Sequence, residues 1–273
     1  MIAARTLAMG GGEDPGSIFL ELFGHHLNPE RIGSVRMLGL EIPIFNLQIF
    51  QVLAALLVAF LFLGAGRAVD ATRPSGIRRV QLAWVEWIRD EMVYPVMGPE
   101  RGRRFLPFFL WVFFFILACN LIGLLPWGRT STANIFVTGA LASITLLAMP
   151  LCGMVAQGPL AYWKNLVPHG VPALLWPLMF LLEVVGLLTR PFALMVRLFA
   201  NMTAGHLVVL SFVGLIPYFG ASGGAAVAWG VAPVSIAFAA FIMIIEAFVA
   251  LLQAYVFTLL SIVFVGASVH PEH

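Results

Sequence analysis

Four charged side chains lie inside apolar stretches that are long enough to cross a bilayer: Glu183, Arg190, Arg197 and Glu246. An arginine keeps its proton at any biological pH, and an arginine at the centre of a bilayer costs roughly 2.5 to 3.5 kcal/mol on insertion scales. Charged groups in such positions commonly mark ion or substrate pathways. The sequence therefore indicates that the permanent charge of Arg197, in the middle of its apolar stretch, has a functional role.

The spacing of these residues defines a polar stripe on one predicted helix. Glu183, Arg190 and Arg197 follow one another at intervals of seven, which returns to nearly the same helix face. Asn201, four residues after Arg197, joins that face. His206 comes nine residues after Arg197, so it points to the opposite face about 13 Å further along. The stripe places a carboxylate towards one end of the helix and the arginine in the middle.

A second apolar stretch carries Glu246 and Gln253, again seven residues apart and on one face. Glu246 and His206 meet if the two helices pack antiparallel. Both side-chain types exchange protons near neutral pH in suitable surroundings, whereas arginine does not. We therefore expect a proton path in which Arg197 blocks leakage and attracts a carboxylate on another surface. The alternatives are a satisfied interior histidine at His206 and a simple helix–helix hydrogen bond at Gln253.

Structural roles are also open to the arginines. Arg197 is alternatively a structural cation paired with Glu246 or Glu183. Glu183 is alternatively only the counter-ion of Arg190, and Arg190 alternatively supports the fold by binding carbonyl groups beside Pro191.

The composition is that of a membrane protein. The chain has 273 residues, of which 61% are hydrophobic and 10% are charged, with a mean hydropathy of +0.98, whereas soluble domains are about 25% charged. We predict an all-α polytopic protein. The net charge of +2 gives no indication of nucleic-acid binding.

No pattern in the sequence predicts a catalytic centre or a cofactor. Cys119 and Cys152 lack metal or redox spacing and are expected to be packing thiols. The pairs His25-His26 and His270 with His273 are expected to be solvated rather than metal-binding. Neither a nucleophile–base arrangement nor a phosphate-binding loop occurs, so we expect no cofactor and no metal.

Hydropathy and periodicity divide the chain into an outer-side segment, 1–44, and one membrane domain, 45–273. The spacing of Ile77, Val80, Trp84, Ile88 and Met92 predicts an amphipathic interfacial helix over 76–98. About five membrane-embedded helices are predicted, at 45–66, 105–126, 133–155, 172–216 and 226–267.

The last two segments are too long for an upright helix. More than forty residues give about 60 Å of helix, and the hydrocarbon core measures roughly 30 Å. Each segment therefore either breaks into a helical hairpin or forms one strongly tilted helix. A buried turn would leave backbone donors unpaired in lipid, and no polar turn interrupts either segment, so we favour two tilted helices packed as a hairpin.

The arginines predict the orientation. The region from Arg67 to Arg104 holds eight of them and is short enough for the positive-inside rule. We expect it to face the cytoplasm or matrix, with the N-terminus outside and the C-terminus inside. The expected location is the inner membrane of a bacterial cell, in preference to the mitochondrial inner membrane.

Several motifs resemble the signature of subunit a of F-type ATP synthases, over roughly residue 77 to the end. The most specific are the stretches from Arg190 to His206, RPFALMVRLFANMTAGH, and from Ile245 to Phe257, IEAFVALLQAYVF. Further similarities are at 88–95, 119–126 and 270–273.

The resemblance implies roles for single residues. Arg197 is similar to the family's essential arginine, which faces the c-subunit ring and its ion-carrying carboxylates. Gln253 resembles the family's glutamine beside that arginine on the last helix, and Asn201 resembles the family's polar neighbour. His206 and Glu246 resemble a pair that lines the outer half-channel. Glu183 resembles a carboxylate of the inner half-channel, and Arg190 a second, less critical arginine.

The resemblance also implies partners: the c ring, the b-type peripheral stalk and other ATP synthase subunits, within membrane lipid. One departure is Asn134, where many relatives carry histidine. The rival hypothesis is a self-contained transporter or channel that binds an anionic solute at Arg197. A membrane-embedded enzyme is disfavoured by the lack of a nucleophile or metal cluster.

Overall fold

The structure is a computed structural model that describes residues 31–37, 40–63, 76–125, 131–167, 172 and 174–269. The predictions for His25, His26, His270 and His273 lie outside the described residues, as does most of the outer-side segment. The described helices are α1 (Asn46–Leu63), α2 (Ile77–Trp87), α3 (Tyr94–Met97), α4 (Pro99–Gly123), α5 (Ile135–Gln157), α6 (Pro159–Lys164), α7 (Trp176–Gly223) and α8 (Ala225–Val269).

The structure is all-α as predicted, apart from one small hairpin that the sequence analysis did not anticipate. Strand β1 (Arg31–Met37) pairs antiparallel with β2 (Leu40–Phe45), and α1 begins at the next residue. In this register Val35 lies opposite Ile42 and Arg36 opposite Glu41. Such short strands give weak sequence signals beside the long apolar runs that dominate this chain.

The amphipathic segment is helical but not uniform. A π-helical turn, Ile88–Val93, joins α2 to α3, and the segment ends at Gly98, whose φ of 73° favours glycine. Ile88 and Met92 are fully buried. The side-chain amide of Gln81 donates to the carbonyl of Leu61 at 3.0 Å. These contacts fix the segment against the end of α1 and the neighbouring helices.

Four described helices, α4, α5, α7 and α8, are long and apolar enough to cross a membrane, and the apolar part of α1 is shorter. Large apolar side chains point outwards on several helices. Phe60 and Val155, for example, are 77% and 76% exposed. A surface of this kind is stable against lipid and not against water, so the chain is a polytopic membrane protein.

Helices α7 and α8 are continuous over 48 and 45 residues. Straight helices of these lengths measure roughly 72 and 68 Å, more than twice the ~30 Å hydrocarbon core. Pro191, Pro217 and Pro233 lie inside them without ending them. The prediction of two long continuous helices is confirmed, and the alternative in which each segment folds back on itself is wrong.

The two long helices pack antiparallel on either side of a tight turn at Gly224, which has a φ of 81°. A methyl group built on Gly220 would meet Ala228 near this turn at 3.3 Å. Further from the turn, α7 contacts α8 at Gly205 and then at Arg197. This packing sets the face of α8 that meets the polar stripe of α7.

The hydrophobic core holds the hairpin on the rest of the chain. Buried aromatic residues of α4, Phe109 and Phe113, pack with Ile262 of α8 and Leu198 of α7 in one cluster. The cluster continues into the π-helical turn through Met92. The side of α7 that carries Leu198 is thus anchored in the core.

Candidate functional site

Arg197 lies on the open side of α7. Its side chain is exposed, whereas Leu194 and Leu198 next to it on the helix are buried. Within the described chain Arg197 forms no ion pair, in contrast to Arg89, which pairs with Asp90, and His206, which lies beside Glu246. The alternative of a structural cation paired with Glu246 or Glu183 is therefore wrong for this structure.

Gln253 is buried behind the arginine, with 5% of its surface exposed. Its side-chain amide donates to the backbone carbonyl of Arg197 at 3.2 Å. That bond joins α8 to α7 at the position of the arginine and leaves the guanidinium uninvolved. The structure thus brings Gln253 and Arg197 together through the backbone, so that Gln253 positions the helix turn that carries the charge.

His206 and Glu246 meet, as antiparallel packing requires. Nδ1 of His206 lies 3.0 Å from Oε1 of Glu246. Glu246 is only 4% exposed, and neither of its oxygens has a hydrogen bond of good geometry to the described protein. The two groups are therefore close in distance but not well aligned. A buried carboxylate is costly unless it is neutral or faces a cation, and His206 is the ionisable side chain that lies beside it.

Gly205 makes room for this contact. A methyl group built on Gly205 would lie 2.8 Å from both Cδ and Oε1 of Glu246. The carboxylate therefore rests directly on the backbone of α7, beside His206. A residue with any side chain at this position would leave less room for the Glu246 carboxylate, so the glycine permits the close approach.

No ion pair joins the other members of the polar stripe in the described chain. Glu183 is partly exposed and forms no ion pair in the part of the chain that the structure describes. The guanidinium of Arg190 lies 5.5 Å from the ring centroid of Phe264 on α8, a cation–π distance. Glu183 is therefore not the counter-ion of Arg190 here. Asn201 is exposed on the same side of α7 as Arg197.

A buried polar network near Glu246 has no counterpart in the sequence analysis. The hydroxyl of Thr132 donates to Oδ1 of Asn120 at 2.7 Å, and the amide of Asn120 reaches the carbonyl of Ala250 at 3.4 Å. Ala250 lies one turn from Glu246 on α8. A lone asparagine in the apolar run of α4 was the available signal, but the loop position of Thr132 gave none.

Asn134, the departure noted in the sequence, is the N-cap of α5. Its side-chain oxygen accepts a hydrogen bond from the backbone N–H of Phe136 at 2.9 Å. Asparagine is among the preferred residues at this position, because its side chain pairs a backbone donor that the helix leaves free.

Comparison with known proteins covers all of these residues. The family model described as ATP synthase A chain matches residues 48–266, from α1 to near the end of α8. The chain belongs to this family. It is 39% identical over 261 residues to ATP synthase subunit a of Chloroherpeton thalassium, covering 92% of this chain and 75% of that protein. It is 43% identical over 221 residues to ATP synthase subunit a of Myxococcus xanthus, covering 81% and 70%.

The family assigns the chain to the membrane sector of the ATP synthase, the part of the enzyme concerned with proton transport in ATP synthesis. The matched region includes the described helix pair and every residue of the predicted site. The resemblance that the motifs indicated is thereby confirmed at the level of the family.

Proposed function

We propose that this chain is the stator subunit a of the membrane sector and supplies two aqueous half-channels to the c ring. The observation that carries the proposal is the state of Arg197, which is exposed and has no carboxylate partner in the described chain. An unpaired cation inside an apolar helix is costly. A carboxylate on a second protein that passes this surface offsets that cost in the assembled complex.

The path has an entrance, a barrier and an exit. A proton enters near His206 and Glu246, on the side of the turn at Gly224, and neutralises a ring carboxylate. As the ring turns, that acid later reaches Arg197 and loses its proton, which leaves past Glu183. On α7, His206 lies about 13 Å to one side of Arg197 and Glu183 about 21 Å to the other. One charge that moves through 100 mV supplies about 2.3 kcal/mol for rotation.

The arginine separates the two paths because it cannot itself carry a proton. It attracts an ionised ring carboxylate and disfavours the protonated acid in front of it. Gln253 helps to keep this charge at a constant place by bonding the backbone of Arg197 rather than its side chain. The guanidinium therefore stays available to each carboxylate in turn.

The implied partners are the c ring at Arg197, the b-type peripheral stalk and the other ATP synthase subunits. The chain itself carries no catalytic site in this proposal, since nucleotide chemistry belongs to other subunits. The proposed location is the bacterial inner membrane, with the N-terminus outside and the C-terminus in the cytoplasm.

Substitution of Arg197 by alanine tests the proposal. ATP-driven proton pumping in membrane vesicles should be abolished in R197A. The matched control is R190A, which removes the arginine that lies over Phe264 and should retain measurable pumping. Near-normal pumping in R197A, with the protein present at normal levels, contradicts the proposed role.

Labelling from one side of the membrane tests the orientation. Ser222 at the α7–α8 turn and Lys164 at the end of α6 are both exposed. In intact cells a membrane-impermeant maleimide should label S222C and not K164C, and the order should reverse in inverted vesicles. The opposite pattern refutes the orientation without affecting the role of Arg197.

A further inference from the structure

An apolar groove lies between the amphipathic helix and the last helix, away from the polar stripe. It has a volume of about 530 Å³ and is lined by Val80, Ala83, Trp84, Trp87, Leu251, Leu252 and Tyr255. Such a volume is within the range of sites for small ligands. The α2 residues recur at spacings of three and four, so they form one face of that helix.

Aromatic side chains form much of the groove wall. Trp87 and Tyr255 lie with their ring centroids 5.7 Å apart, and Trp84 and Trp87 lie 5.5 Å apart. Tryptophan and tyrosine are enriched at the depth of the lipid headgroups, because one part of each ring system is apolar and another is polar. A groove with such a wall is suited to the depth of the membrane at which the phosphate of a phospholipid meets its acyl chains.

Positive charges lie beside one end of the groove, at the start of α2. Arg78 and Arg79 are exposed in the first turn of α2, and neither forms an ion pair within the described chain. Arg79 precedes Ala83 by one helical turn and therefore lies next to the groove. The carboxylate on α2, Glu86, lies seven residues further on, about 10 Å away along the axis. The start of α2 thus attracts an anion.

We propose that this groove holds an acyl chain of one anionic phospholipid, whose phosphate is bound by Arg78 and Arg79. A partner helix fits less well, because helix–helix contacts in membranes favour small residues that allow close approach. Here Ala83 is the one small residue among the groove's seven lining residues. A flexible acyl chain fills an irregular aromatic wall more readily than a helix does. The proposal is independent of the proton path.

The test uses the purified ATP synthase complex and a phosphatidylglycerol that carries a photoreactive group in its acyl chain. Labelled residues are mapped by mass spectrometry. We expect saturable labelling of α2 and α8 at the groove, which unlabelled phosphatidylglycerol displaces and phosphatidylcholine displaces poorly. Equal displacement by both lipids, or labelling spread evenly over the lipid-facing surface, overturns the proposal.

Two variants separate charge from shape. R78A/R79A should weaken the binding of phosphatidylglycerol by about 30-fold, the effect of two arginines near an anionic headgroup. The control R103A/R104A removes two exposed arginines of α4, away from the groove, and should change the binding less than threefold. A83W fills the groove, retains both arginines and should abolish labelling there.

Three outcomes contradict the lipid site. These are an equal loss of binding in R103A/R104A, unchanged labelling in A83W, and photochemical capture of a protein helix by a benzophenone side chain at Leu252. Should R78A/R79A fail to assemble, the competition between the two phospholipids on the unchanged complex decides the question by itself.

Discussion

The contact between Gly205 and Glu246 gives a quantitative prediction. In Gly205→Ala, the new methyl group would lie 2.8 Å from Cδ and Oε1 of Glu246. The carboxylate must retreat by at least about 0.7 Å to reach ordinary contact, which takes it away from Nδ1 of His206, now at 3.0 Å. Overpacking of this kind costs ~1–3 kcal/mol. If the whole cost is added to the activation free energy of proton transfer, that step slows by roughly 5- to 150-fold.

The fold should survive this change, because the displaced atoms are the end of a flexible side chain. We therefore expect normal amounts of G205A in the assembled complex together with slow passive proton conduction through vesicles stripped of the soluble sector. Gly186→Ala is the matched control, since a methyl group there would meet only a guanidinium nitrogen of Arg190 at 3.9 Å. If G205A conducts protons as fast as G186A, the reasoning about the histidine–glutamate contact is refuted.

Three further changes test neighbouring contacts. Exchange of His206 and Glu246 should preserve more pumping than either single substitution, and a double variant as poor as the worse single one counts against a working pair. Gln253→Leu removes the bond to the Arg197 carbonyl and should cost ~0.5–1.5 kcal/mol in thermal-unfolding measurements, with pumping reduced, whereas unchanged stability and pumping argue against a bracing role. Thr132→Val leaves Oδ1 of Asn120 unpaired and should destabilise the protein by ~1–3 kcal/mol, while Thr132→Ser should be nearly neutral; equal effects of the two would contradict the network.

The membrane architecture could be predicted from the sequence, because it depends on properties of each segment by itself rather than on how the segments pack. Hydrophobic length alone indicated the long helices, and the cost of unpaired backbone groups in lipid favoured tilted helices over buried turns. The seven-residue spacing placed Arg190 and Arg197 on one side of α7. Composition could not reveal the β1–β2 hairpin, whose strands are only 7 and 6 residues long.

The contacts inside the site were less accessible because they depend on how the helices pack. The sequence offered Glu183 as a counter-ion of Arg190, but the packing of α8 brings Phe264 to that guanidinium. The sequence suggested that Gln253 acts beside Arg197, but not that it binds the backbone carbonyl. The role of Gly205 was hidden for the same reason, since the carboxylate that needs the space comes from a residue 41 positions later in the chain.

The central claim is that the open side of α7 at Arg197 faces the ring. Disulfide cross-linking in native membranes tests it directly, with a cysteine at Asn201 and another beside the ion-carrying carboxylate of the c subunit. Asn201→Cys should form the cross-link, and Leu188→Cys should not, because Leu188 is also exposed but lies about 180° around the helix from Arg197. A cross-link from position 188 and none from position 201 would contradict the account.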